Sequence, residues 1–358
     1  MNKSPGLALG LILLTTTAIA GTATIKAKAP GAPATTFQVT NLISNQDGVA
    51  ANTDADLVNS WGIAQAGTGP LWVADNGTGL GTVYNHSTGE KQSLTVTVPE
   101  GAPTGLIAVP NDGDGIIDFP ITANGVTDQS IFIFVTENGR IEGWNPNVDQ
   151  ANAVIAVDNS AHGSVYKGVG LSNGKDQLYA ADFKRGTVDV FDSNFNEINK
   201  FTDRDLPKRF APFNVKVLGG EVYVAFAERE KGGIDNVDGP GLGYVDIFRR
   251  DGHLKTRLIA NGVLNAPWGM EIAPSNFGTF AGTLLVGNFG DGKINAFDRD
   301  TGEFRGTLTD ANGAPIVIDG LWALENRPLN TITFSAGPDD EANGLVGSIT
   351  PVTTVAKN

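Results

Sequence analysis

Residues 282–304, GTLLVGNFGDGKINAFDRDTGEF, contain two short runs of strand-forming residues, Leu284-Leu285-Val286 and Ile294-Asn295-Ala296-Phe297. Each is too short for a helix and is bounded by Gly, Asp and Asn, the residues that supply the positive φ angles and side-chain hydrogen bonds of turns. The local reading is strand, turn, strand, turn. NFGDG has no following helix whose N-terminus could hold a phosphate, so it is read as a turn first and as a contributor of Asn288 to a site second.

The same unit recurs five more times. It appears from Trp61 (WGIAQAGTGPLWVADNGTGLGTVYN), Thr104 (TGLIAVPNDG, then SIFIFVTENGRIEGWNPN), Lys167 (KGVGLSNGKDQLYAADFKRGTVDVFD), Phe213 (FNVKVLGGEVYVAFAERE, then GYVDIFRRDGHL) and Trp322 (WALENRPLNTITFSAG, then GLVGSITP). The ends of the second strands, Asp75, Glu137, Asp182, Glu228, Asn288 and Gly337, follow one another at 62, 45, 46, 60 and 49 residues. That spacing predicts an all-β, six-bladed β-propeller over 37–351, with four-stranded antiparallel blades. The sixth copy has only three strands. Phe37-Gln38-Val39-Thr40-Asn41-Leu42 lies ahead of the first copy and is expected to supply the fourth, closing the ring and covering its edges.

With 46 Gly and 18 Pro spread through 358 residues, the chain suits many tight turns, and 41% hydrophobic residues can build a substantial core. The first residues, MNKSPGLALGLILLTTTAIAG, combine Lys3, an apolar run of about 14 residues and Ala18-Ile19-Ala20 before Gly21. This reads as a secretory signal peptide over 1–20, since a span needs ~20 apolar residues. A leader over 21–36 and a short tail over 352–358 flank the propeller. The expectation is a secreted or periplasmic protein with no membrane span after cleavage. There are no cysteines, hence no disulfides. A net charge of -14 repels nucleic acid and anionic membranes. Only three histidines exist, His86, His162 and His253, which leaves little material for a Ser-His-Asp triad or a zinc site.

NLISNQDGVAANTDADLVNSWGIA, LWVADNGTGLGTVYN, NGRIEGWNP, NAPWGMEIAPSNFGTFAGTLLVGNFGDGKINAFD, PIVIDGLWAL and FSAGPDDEANGLVGSITP resemble the successive motifs of an uncharacterised bacterial family of exported proteins related to NHL-repeat propellers. The resemblance covers nearly all of the expected mature chain. It implies a six-bladed propeller and secretion, and no activity.

In a propeller the loops entering the innermost strand and leaving the second strand share one face. That face is expected to gather Asn59, Asp75, Asn76, Glu137, Asn138, Asp182, Glu228, Asn265, Asn288 and Asp319. Within this set Asn59, Asp75, Glu137, Asp182, Glu228, Asn288 and Asp319 are candidate ligands for Ca2+, which takes 6 to 8 oxygens. Such a cation could serve a calcium-dependent lactonase or esterase, polarising an ester carbonyl while a carboxylate activates water. The favoured reading is that these residues end strands and bind turns. Trp61, Phe213, Trp268 and Trp322 begin the first strands of their repeats and are candidates for stacking on a ligand, with packing between blades as the favoured alternative. Trp72 and Trp144 are expected to pack. PNDGDGIID at 110–118 lacks the register of a calcium loop and reads as an insertion, as does KGGIDNVDGPGLG from Lys231. The function that follows is binding or scaffolding at the loop face, with a small molecule, a glycan or a protein as partner.

Overall fold

A computed structural model describes Met1, residues 35–327 and residues 331–352. The signal peptide expected at 1–20 and the leader up to residue 34 lie outside the described residues, Met1 apart, as does the tail beyond Val352. From Thr35 the described residues form one unit built on six blade sheets whose blade strands pair antiparallel.

Blade 1 runs Ser60–Gln65, Leu71–Asp75, Leu80–Tyr84 and Lys91–Thr97 from the axis outward. Blade 2 is Pro103–Ala108, Phe132–Thr136, Arg140–Trp144 and Val154–Asp158. A hairpin, Pro120–Ala123 with Val126–Gln129, is inserted after its first strand. Blade 3 is Tyr166–Leu171, Gln177–Asp182, Thr187–Asp192 and Glu197–Phe201. Blade 4 is Phe210–Leu218, Glu221–Arg229, Gly243–Phe248 and Leu254–Ala260. Blade 5 is Pro267–Ile272, Leu284–Asn288, Ile294–Phe297 and Phe304–Thr307. Blade 6 is Leu321–Arg327, Thr331–Ala336 and Leu345–Val352, with Thr36–Ser44 as its outer strand.

The expected closure is present. Phe37 pairs with Pro351 and Ser44 with Leu345, antiparallel, with one bulge after Asn41. Phe37 buries its ring against Phe277 and Phe280 of blade 5, at 4.7 and 5.9 Å between centroids, and its N–H donates to Thr309 O. The clasp therefore joins two blades as well as completing one.

Second strands such as Leu71–Asp75 are buried throughout, because both of their faces lie between neighbouring blades. This explains why they read as unbroken apolar runs and not as alternation. Each pair of adjacent blades encloses its own apolar cluster, and the one between blades 6 and 1 continues into the axial aromatics.

One irregularity repeats in every blade and positions the site. The register between the first and second strands slips at Trp61, Thr104, Lys167, Phe213, Trp268 and Trp322. A bulge inserts one unpaired residue and re-aims its side chain, here toward the axis. Glycine follows in four of the six cases, where the inner strands crowd together: a Cβ on Gly62 would lie 2.5 Å from Leu106 N, and one on Gly105 2.7 Å from Val169 N. Among the described residues no helix is long and apolar enough to cross a membrane.

Candidate functional site: an aromatic plug beneath an acidic arc

The upper mouth of the channel is where the inner strands begin. Trp61 and Trp322 stack there at 3.5 Å between centroids, and Phe289 stacks on the other side of Trp322 at 4.1 Å. Trp268 and Phe213 meet Trp61 edge-on at 6.1 and 6.5 Å, and Phe183 leans on Phe213 at 5.0 Å. Trp61, Phe213, Trp268 and Trp322 are all at most 4% exposed. As placed, their faces meet one another, so the four form a plug across the channel and not an open stacking platform.

The indoles also tie blades together. Trp322 Nε1 donates to Asn59 Oδ1 at 3.0 Å and Trp268 Nε1 to Lys167 O at 3.0 Å, whereas Trp61 Nε1 is buried with no partner among the described residues. Thr104, at the equivalent place in blade 2, turns its hydroxyl to Tyr166 O and Val135 O. Blade 3 puts a charge at this place. The Lys167 side chain is 2% exposed, and its ammonium lies 5.1 Å from the Trp61 ring centre, where the negative face of the ring favours it.

Above the plug a chain of polar contacts crosses five blades. Lys167 Nζ pairs with Glu137 Oε1, and with Asp235 Oδ1 at 3.3 Å. Glu137 Oε2 accepts from Asn76 Nδ2 at 2.9 Å, Asn76 Oδ1 accepts from Asn59 Nδ2 at 3.3 Å, and Asn59 Nδ2 donates to Glu341 Oε2 at 2.5 Å. The arc carries three carboxylates to one ammonium. Burial pushes the Glu341 carboxyl above its ordinary value, against the Asn59 hydrogen bond and the attraction of Lys167.

Glu341 reaches the arc from an unusual backbone. Asp339, Asp340 and Glu341 are successive left-handed residues, with φ of 58, 51 and 66°, and Asn59 is left-handed too at 48°. The turn is held from several sides. Asp339 N–H donates to Asp319 Oδ2 at 2.8 Å, Asn343 Nδ2 and Gln46 Nε2 donate to Asp339 Oδ2, and Glu341 N–H donates to Gly337 O.

Of the seven candidate calcium ligands, only Asn59 and Glu137 join the arc. Asp75 is fully buried inside blade 1 and accepts from Ser60 Oγ at 3.0 Å and Thr82 Oγ1 at 2.5 Å; burial holds its carboxyl well above the usual range despite those bonds. Asp182 is likewise raised by burial and caps its turn through Val165 N–H and Arg185 N–H. Glu228 pairs with Arg209 at 3.1 Å, Asn288 donates to Val263 O and Asp291 Oδ1, and Asp319 supports the left-handed turn. Among the described residues no three His, Cys, Asp or Glu side chains group as a metal site. The sequence reading missed Lys167, Asp235 and Glu341. Lys167 could have been found from its register, since Lys167-Gly168 occupies the place of Trp61-Gly62 and Trp268-Gly269.

No protein-family model matches the chain. Among curated proteins it is 36% identical over 334 residues to uncharacterized protein R648 of Acanthamoeba polyphaga mimivirus, covering 89% of this chain and 82% of that one. It is also 36% identical over 330 residues to uncharacterized protein L690 of the same virus, covering 88% and 86%. The motifs had pointed to a bacterial family; these relatives are viral. Among solved structures the chain resembles a structural-genomics protein of unknown function from Bacteroides thetaiotaomicron, with a TM-score of 0.56 and 11% identity over 88% of this chain and 76% of that one. A streptogramin B lyase structure aligns with a TM-score of 0.49 and 8% identity, over 89% and 98%. At such identities the likeness concerns the fold.

Proposed function

The chain belongs to one family with the mimivirus proteins R648 and L690, and from that premise we propose that it is a binding propeller whose upper mouth receives a positively charged group of a partner protein. The observation that carries this reading is the left-handed run Asp339-Asp340-Glu341. Left-handed backbone costs ~1 to 2 kcal/mol per residue outside glycine, and folds retain such strain where a surrounding network over-determines it, most often at functional sites. Here the network delivers one carboxylate, Glu341, to an arc that already holds Glu137 and Asp235.

Lys167 neutralises part of that charge from below and is itself buried, so an incoming cation meets the carboxylates first. The signal peptide read over 1–20 adds the proposal that the partner is met outside the cytoplasm.

The test is calorimetric titration of the full chain with a hexalysine peptide and with hexaglutamate, repeated on Glu137→Gln/Glu341→Gln and on the remote surface variant Asp300→Asn/Glu303→Gln. We expect hexalysine alone to bind, with a tenfold or greater loss only in the mouth variant. Equal loss in both variants would reduce the interaction to general attraction by an acidic protein and overturn the proposal.

A further inference from the structure

The lower mouth, where the inner strands end, is open. Beneath the plug the channel widens into a cavity of about 230 Å³ that reaches from Trp268 to Gln65 and Glu325. At ~30 Å³ per water this is room for seven or so waters, or for one small molecule.

Its wall is divided by the repeat itself. Three residues beyond the bulge, the six blades carry Ala64, Ile107, Gly170, Lys216, Glu271 and Glu325 in order, and all of these but Glu271 line the cavity. At this level blades 1 to 3 thus give a small apolar half, while blades 4 and 6 set Lys216 and Glu325 into the opposite wall, with Glu271 bonded to Lys216. Lys216 Nζ donates to Glu271 Oε2 at 2.7 Å, Glu325 Oε2 at 2.7 Å and Leu324 O at 3.0 Å, which uses all three of its protons. Burial works against its charge, but the two carboxylates outweigh burial and hold the ammonium above its ordinary value. Glu271 is filled, its Oε1 accepting from Ile272 N–H and its Oε2 also from Asn326 N–H. Glu325 is different: among the described residues it accepts only from Lys216, through Oε2, and its side chain is 34% exposed at the rim.

A preformed concave pocket with an apolar wall and a few convergent polar groups is the usual form of a small-molecule site. We propose that this cup is a second binding site, for a small amphipathic amine whose ammonium is taken by Glu325 and whose apolar body lies against Ala64, Ile107 and Gly170. Two carboxylates against one ammonium leave the opposite wall net negative, and Lys216 has no proton left to offer an anion. The inference does not depend on the upper mouth, from which the plug separates it.

The test uses three probes of one length, n-hexylamine, hexanol and hexanoate, with the full chain, by saturation-transfer NMR and calorimetry at pH 7. The expected order is hexylamine above hexanol, with no binding of hexanoate. Glu325→Gln should lower hexylamine affinity at least tenfold and leave hexanol unchanged. Ile107→Trp, which fills the cup, should abolish both; should it fail to fold, Glu325→Gln still tests the assignment. Glu137→Gln/Glu341→Gln should change nothing, which separates this site from the upper mouth. Equal binding of all three probes, an unchanged amine affinity in Glu325→Gln, or no binding by any probe would overturn the proposal.

Discussion

Replacing Trp322 by alanine should destabilise the propeller more than an ordinary core truncation, because this ring is the hub of the plug. It is fully buried, and large-to-small changes of this kind cost ~3 to 5 kcal/mol. The stacks on Trp61 and Phe289 are lost together, each worth ~0.5 to 1.5 kcal/mol beyond burial. Asn59, 3% exposed, loses its indole donor, which adds ~1 kcal/mol. The sum is about 5 to 9 kcal/mol. An unfolding entropy of ~2.1 cal/mol/K per residue over some 320 residues gives ~0.7 kcal/mol/K, so the melting temperature should fall by about 7 to 13 °C in a calorimeter. Trp322→Phe keeps the stack and loses the N–H, and should cost only ~1 to 2 kcal/mol. Near-ultraviolet circular dichroism should drop strongly in the alanine variant, since three of the five tryptophans meet at this point. A fall of less than about 3 °C, or a phenylalanine variant as unstable as the alanine one, would refute the view that stacked rings close the channel.

Three further outcomes follow from burial and backbone. Glu142 is fully buried between blades 1 and 2 with neither carboxylate oxygen hydrogen-bonded, and burial pushes it up to about 8 from an ordinary 4.5. Between those values the folded form keeps a proton that the unfolded form releases, so stability should fall as pH rises through that window, by up to ~1.4 kcal/mol per unit. Glu142→Gln should flatten that fall and raise the melting temperature at pH 8, as thermal melts across pH 5 to 8 would show. Phe37→Ala should cost ~3 to 5 kcal/mol in urea unfolding, because the clasp ring is buried against blade 5; a cost below about 1 kcal/mol would mean that blade 6 holds without it. Asp340→Gly should raise stability by ~1 kcal/mol, because glycine takes φ near 51° without strain; a loss of stability would show the turn to be unstrained.

The blades were legible because each one repeats an apolar run between turn residues, and the clasp was legible because Phe37 to Leu42 had no other partner. The aromatic register was visible in Trp61, Phe213, Trp268 and Trp322, but their direction was not. A bulge rotates each of these side chains to the axis, and no local residue preference announces it. The offset of three that makes Lys216, Glu271 and Glu325 neighbours was present as Phe213 to Lys216, Trp268 to Glu271 and Trp322 to Glu325, and it would have been found by aligning the copies on the bulge. Glu341 and Asp235 could not be placed in this way. One sits in a left-handed turn and the other in an insertion, and both lie outside the repeat.

The central claim is that the upper mouth receives a cationic group, and hydrogen–deuterium exchange of the full chain with and without bound hexalysine tests it most directly. The account predicts added protection at Gly337 to Asn343 and around Asn59, Asn76, Glu137 and Asp235, with the outer strands and the lower mouth unchanged. Protection confined to the outer strands or to the rim around Gln65 and Glu325, or none at the mouth, would contradict it.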